Sequence, residues 1–213
     1  GDPDITIDPA ANSDTVTISD DDVASLSFVA TDADAAEPGD NGQFTVTLTN
    51  PSDQDTVVTY SVGGSANAGE DFTPLTGTVT ILAGETAATI DVTVLDDNIL
   101  EGTEAVTLTL DSVTGDPQVT IGANNSDAVA ISDGDAAELN IVATDPDSAE
   151  PGNNGEFTVS LTAPSDQDTV VAYSVTGDAN PGEDFAPLSG TVTILAGETT
   201  ATIDVSVVDN SLL

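Results

Sequence analysis

The side chains of this sequence that could do chemistry are almost all carboxylates. There are 39 Asp and Glu in 213 residues, with no Lys, Arg, His or Cys, giving a formal charge of −39 at pH 7. A Ser or Cys nucleophile has no imidazole to activate it, and disulfide or thiol chemistry is impossible. Nucleic acid is excluded as a partner, because no cation is present to displace the counterions of a phosphate backbone. Paired acids can hydrolyse glycosides, but a sugar groove normally brings aromatic platforms, and two Tyr, five Phe and no Trp are too few. No enzyme activity is expected. Carboxylates in isolation are solvated; carboxylates brought together must take up protons or cations. Zinc, copper and iron normally draw on His or Cys, whereas Ca2+ accepts about 6–8 oxygen ligands in tolerant geometry. Calcium is the cofactor that this residue set suits.

The elements that would position these acids are legible in the apolar pattern. Hydrophobic residues still reach 38%, too many for a chain disordered by its charge, and Val, Ile and Leu alternate with Thr and Ser. The segment Leu26 to Leu100 recurs from Leu139 to Leu213 at an offset of 113 residues, with 55 identities in 75 positions. A period of this size means tandem domains rather than a solenoid of short units. The expected division is a tail of a preceding repeat at 1–22, a complete repeat at 23–135, and a further repeat at 136–213 lacking its last strands. Within 23–135, alternation predicts seven strands: 26–31, 43–49, 56–62, 77–82, 87–94, 104–110 and 127–132. Val58, Tyr60, Val62, Ile90, Val92 and Val94 are expected to face inward. Turn residues fill the gaps, notably around 50–52, 83–85 and 116–125. The pattern predicts an all-β fold of tandem immunoglobulin-like antiparallel β-sandwiches.

In such a sandwich, the loops after the first, third and fifth strands share one pole with the end of the seventh. That pole collects 12 acids: Asp32, Asp34, Glu37, Asp40, Glu70, Asp71, Asp96, Asp97, Glu101, Glu104, Asp133 and Asp135. The opposite pole holds six, and Asp91 lies on a strand. Two carboxylates about 4 Å apart repel by roughly 4 kcal/mol at an effective dielectric near 20. Nothing within the chain can neutralise them.

The run GSANAGEDFTPLTGTVTILAGETAATIDVTVLDDNILEGTE, followed by ISDGD, closely resembles the Calx-β domain, and the resemblance covers essentially the whole chain. It implies a Ca2+-binding sandwich whose ligands would be Glu37, Asp71, Asp96, Asp97, Glu101, Glu104, Asp133 and Asp135, with several ions per complete repeat. These residues fall within the crowded pole. The tail of the preceding repeat would contribute Asp20, Asp21 and Asp22. The later repeat offers Glu150, Asp184 and Asp209, with Asn210 in place of the next acid and the remaining ligands expected beyond Leu213. Fewer or weaker ions are therefore expected in that later repeat; in the complete repeat, Asp96-Asp97-Asn98 and Asp133-Gly134-Asp135 depart from the three consecutive acids that exchanger-type members tend to carry.

Asp53, Asp55, Asp91 and Asp116 read as solvated surface acids. Asp32, Asp34 and Asp40 flank the site without matching family ligands. No window is apolar enough for a membrane span, and no signal peptide is expected within this sequence. Lacking an initiator Met, the chain is expected to be processed or cut from a longer protein. The expected function is a Ca2+-rigidified structural module of an extracellular or surface fibre, adhesin or coat, partnered by neighbouring repeats or like chains. Two alternatives are a calcium sensor or buffer and a filament joined by donor-strand complementation. In the latter, residues 1–22 would supply a last strand but nothing would replace the sixth.

Overall fold

The computed structural model describes residues 1–209; Asn210 lies outside them. The first repeat contains nine strands. They are β1 (Ala24–Asp32), β2 (Asp34–Ala36), β3 (Gly42–Leu48), β4 (Thr56–Gly64), β5 (Thr78–Ile81), β6 (Ala87–Val92), β7 (Glu104–Thr114), β8 (Val119–Ile121) and β9 (Ser126–Ser132). They form two sheets, ordered β6-β3-β1-β8 and β2-β9-β7-β4-β5. Pairing is antiparallel except for the short β1–β8 and β2–β9 contacts. The fold is the β-sandwich that the alternation predicts.

The core lies where period-2 alternation turns one side of each strand inward. Leu26, Phe28, Phe44, Val46 and Leu48 come from one sheet, and Val58, Tyr60, Val106, Leu108, Val129 and Ile131 from the other. Phe28 and Phe44 stack with ring centroids 5.1 Å apart. Val94 is buried as expected, although β6 ends at Val92 and Val94 pairs instead with Phe72 in an isolated bridge. Val62 departs from expectation and is 42% exposed. It lies where β4 runs on toward Gly64, and the register shift between Thr59 and Tyr60 comes earlier on the same strand.

Two strands escaped sequence reading, β2 and β8. Each has three residues, too short to establish a period. The first has a structural consequence. After β1 the chain shifts register between Ala30 and Asp32 and changes sheets, so that Ala36 pairs with Ser132 at the end of β9. Residues 1–22, whose DITI and TVTIS segments look strand-like, contain no strand and are exposed.

The second repeat, as far as it is described, repeats this plan. Strands β10 (Leu139–Asp145), β11 (Gly155–Leu161), β12 (Thr169–Ala172), β13 (Thr191–Ile194) and β14 (Thr200–Val205) correspond to β1, β3, β4, β5 and β6. Among the described residues nothing takes the place of β7 and β9. Phe157, the counterpart of fully buried Phe44, is accordingly 39% exposed.

Candidate metal centre

The sheet change at β2 delivers Glu37 to the end of β9. Glu37 N–H donates to Ser132 O at 3.0 Å, and the next residues along are Asp133, Gly134 and Asp135. Gly134 is required by this closeness, since a Cβ there would lie 2.6 Å from the carbonyl oxygen of Glu37. The approach explains why this acidic run has Gly at its centre. Glu37, Asp133 and Asp135 each offer an oxygen within 4.8 Å of the others. Asp133 is oriented by two main-chain donors, Glu101 N–H on Oδ2 at 2.9 Å and Asp135 N–H on Oδ1 at 2.7 Å. Asp135 Oδ2 is shielded from solvent and has no hydrogen-bond partner. A buried lone pair of this kind needs a cation or a proton.

A second group forms beside the first. The Gly69-Glu70-Asp71-Phe72 turn is anchored by Phe72, buried in the core and bridged to Val94. That anchor holds Asp71, 4% exposed, at the pole, where its Oδ2 accepts the Asn67 N–H. Asp71, Glu101 and Glu104 offer oxygens within 4.8 Å of one another. Glu104 opens β7, while Glu101 lies on the loop after β6.

The electrostatics follow from this crowding. Glu101 is pushed up to about 7, by burial first and then by the charges of Asp71, Asp97, Glu37 and Asp166. Glu104 is also pushed up to about 7, by burial, by a hydrogen bond with Asp71, and by Asp71, Glu101 and Asp166. Two carboxyl groups share a hydrogen bond only when one of them holds a proton. Glu37 rises through burial and through Asp97, Asp133 and Asp135, although a hydrogen bond from the Asp97 main chain works against the rise. Asp135 rises through burial of its carboxylate and through Asp133, Asp96 and Asp97. The donor set is all oxygen, crowded and without an internal counter-charge. It fits a hard divalent cation better than any soft metal.

The structure thus brings Glu37, Asp71, Glu101, Glu104, Asp133 and Asp135 into two adjacent groups. Asp96 and Asp97 are exposed beside them and act through charge. Asp20, Asp21 and Asp22 form an exposed group of consecutive residues. In the second repeat, Asp184 repeats the turn of Asp71, its Oδ2 accepting Asn180 N–H at 2.7 Å, yet Glu150, Asp184 and Asp209 form no group among the described residues. Asp166, which the sequence alone does not single out, belongs to the Pro-Ser-Asp-Gln-Asp loop, whose first copy reads as solvated surface; its N–H donates to Leu100 O at 3.1 Å, which brings it near Glu101.

The model of the Calx-beta domain matches residues 19–135 and again 135–213. Among solved structures, the CBD12 crystal structure from CALX1.2 is 18% identical, with 86% of this chain and 76% of that one covered and a TM-score of 0.43. The apo-form Calx CBD1 domain is 20% identical over 54% of this chain and all of that one, with a TM-score of 0.44. Adhesion G-protein coupled receptor V1 of Danio rerio is 39% identical over 93 residues, which is 40% of this chain and 2% of the receptor.

Proposed function

The chain belongs to the Calx-beta domain family, and on that premise we propose that it is a calcium-binding structural repeat of an extracellular or surface protein, in which Ca2+ stiffens the junction between repeats. One observation carries the reading. Acids from four remote segments, around Glu37, Asp71, Glu101 and Asp133, converge at one pole of the first sandwich in a chain without a single basic side chain. The pole is also where the chain leaves β9 and, through Asp133 to Glu138, enters β10. An ion held by Asp133 and Asp135 therefore ties the linker to the loops.

In this reading Glu37, Asp133 and Asp135 hold one ion, and Asp71, Glu101 and Glu104 another. Asp96 and Asp97 complete the shell directly or through water. The ions replace protons as the counter-charge of the pole, and the residues fix where the charge sits. Extracellular calcium modules bind at about 10⁻⁴–10⁻³ M. An ion at about 100 times its dissociation constant would add about 2.7 kcal/mol per independent site. With no disulfide available, that is a substantial share of a small domain's stability. The near-identity of the repeats supports mechanical repetition over sensing, which needs dissimilar domains and an effector.

Small-angle scattering tests the proposal. Calcium should reduce the spread of inter-repeat distances and chelator should restore it; identical curves in both conditions would refute the stiffening role.

A further inference from the structure

Residues 1–22 carry two pieces of a sandwich without forming one. Thr15-Val16-Thr17-Ile18-Ser19 stands 113 residues before Ala128-Val129-Ala130-Ile131-Ser132 of β9, and Asp4-Ile5-Thr6-Ile7 parallels Gln118-Val119-Thr120-Ile121, which holds β8. In the first repeat the apolar members of both strands belong to the core: Val119, Val129 and Ile131 are buried, and Ile121 packs against the same cluster. Their counterparts in the leading segment are solvated, with Val16 88% and Ile18 91% exposed.

The second repeat presents the complementary face. Leu139 is 51% exposed where Leu26 is fully buried, and Ile141 and Phe157 are open as well. A cavity of about 180 Å³ lies on that face, lined by Ile141, Phe157, Tyr173, Val175, Leu188 and Ile203. The backbone keeps a seat for the absent strand. In the first repeat a Cβ on Gly42 would lie 2.4 Å from Val129 Cγ1, so β9 crosses the start of β3 where only Gly fits. Its counterpart Gly155 is also Gly, yet the nearest side-chain atom there is Ser148 Cβ at 3.6 Å. A valine placed like Val129 would fill that room.

We propose that residues 4–19 of one copy take the places of β8 and β9 on the second repeat of another copy, so that the last strands of a repeat are exchangeable between chains. Ile5 and Ile7 would extend the sheet of β10 in parallel, as Val119 and Ile121 do against Ala24 and Leu26. Val16 and Ile18 would cover Ile141 and Phe157, as Val129 and Ile131 share one core with Phe28 and Phe44. Main-chain pairing supplies affinity in such strand addition, and alternate side chains supply register. Near-identical tandem domains are prone to this exchange. The place of β7 stays empty and leaves an edge of β12 unpaired, so the exchanged form is weaker than a complete sandwich. In an array, a repeat's own last strands compete for the same face. No ion at the acidic pole is required.

The test is size-exclusion chromatography with light scattering on the 213-residue chain in chelator. Each copy carries a charge of −39, so association should strengthen between about 0.15 M and about 1 M salt, as the Debye length falls from about 8 to about 3 Å. Dimers and longer assemblies are expected, with the amides of residues 15–19 protected from hydrogen exchange only in the associated form. Val16→Asp combined with Ile18→Asp should weaken association at least about a hundredfold. Thr15→Asp combined with Thr17→Asp makes the same charge change on the other side of the segment and should weaken it far less. All four residues are exposed and outside any strand, so neither variant disturbs the first repeat. A chain extended after Leu213 by a second copy of residues 101–135 gives the second repeat its own last strands and should stay monomeric. A 213-residue chain that is monomeric at both salt concentrations would overturn the proposal, as would protection of residues 15–19 in a monomer. Equal association of the extended chain, or equal weakening by the two double variants, would overturn it too.

Discussion

Asp133 Oδ2 accepts the main-chain N–H of Glu101 at 2.9 Å, joining the end of β9 to the loop before β7. One carboxylate therefore belongs to one acidic group and orients the other. The relationship also fixes the linker, since Asp133 is its first residue and its Oδ1 takes the Asp135 N–H at 2.7 Å. The sandwich pole and the junction are one structural unit.

Replacing Asp133 by Ala should disable both groups. In chelator it leaves two part-buried N–H donors without acceptors, a loss of about 1–3 kcal/mol. In calcium the loss should be larger, because the ion's contribution disappears as well. Thermal unfolding in the two conditions separates these effects.

Glu104→Gln should act with opposite signs in the two conditions. Removing a carboxylate crowded by Asp71 and Glu101 relieves repulsion, so the calcium-free protein should gain stability, by about 1 kcal/mol or a few degrees in Tm after allowance for solvent screening. Calcium should then stabilise the variant less than the unmodified chain. A variant destabilised in chelator would show that Glu104 is structural rather than a ligand.

The pH dependence follows from the raised groups. Glu101 and Glu104 stand at about 7 in the fold against an ordinary 4.5. Between those values the folded state holds more protons than the unfolded state, so stability falls as pH rises. Below the ordinary value and above the raised one, the contribution of these groups is flat. The charges facing them are those of Asp71, Glu37, Asp97 and Asp166, together with one another. In chelator, Tm should decline from pH 5 to pH 7.5. Saturating calcium holds the ionised forms and should flatten that decline, and calcium affinity should weaken as pH drops below 7.

Much of this was legible because alternation and repetition are strong signals. Phe44, Val46 and Leu48 alternate with Thr45 and Thr47 across the predicted strand 43–49, which is β3, and the run Gly69-Glu70-Asp71-Phe72 recurs as Gly182-Glu183-Asp184-Phe185 at the repeat offset. The pole is legible from the acid count alone, since strand parity decides which loops are neighbours. What stayed hidden depended on contacts without a period. Strand β2 is three residues of Asp and Ala, yet its pairing with β9 is what carries Glu37 to Asp133. Asp166 is hidden for a different reason: its loop is identical to the one holding Asp53, and only its hydrogen bond to Leu100 distinguishes their surroundings.

Gly134 tests that geometry at a single position. Gly134→Ala would set a Cβ 2.6 Å from the Glu37 carbonyl oxygen, so backbone must move. The expected result is a cost of about 1–3 kcal/mol together with weaker calcium binding, as Asp133 and Asp135 part from Glu37. Unchanged affinity would show that this group is not where the ion sits.

Calorimetric titration with CaCl2 tests the calcium reading most directly. The unmodified chain should bind saturably, with more than one ion on the first repeat, and Asp133→Ala should abolish most of the heat. No binding at millimolar calcium, with an unfolding temperature that chelator leaves unmoved, would contradict it.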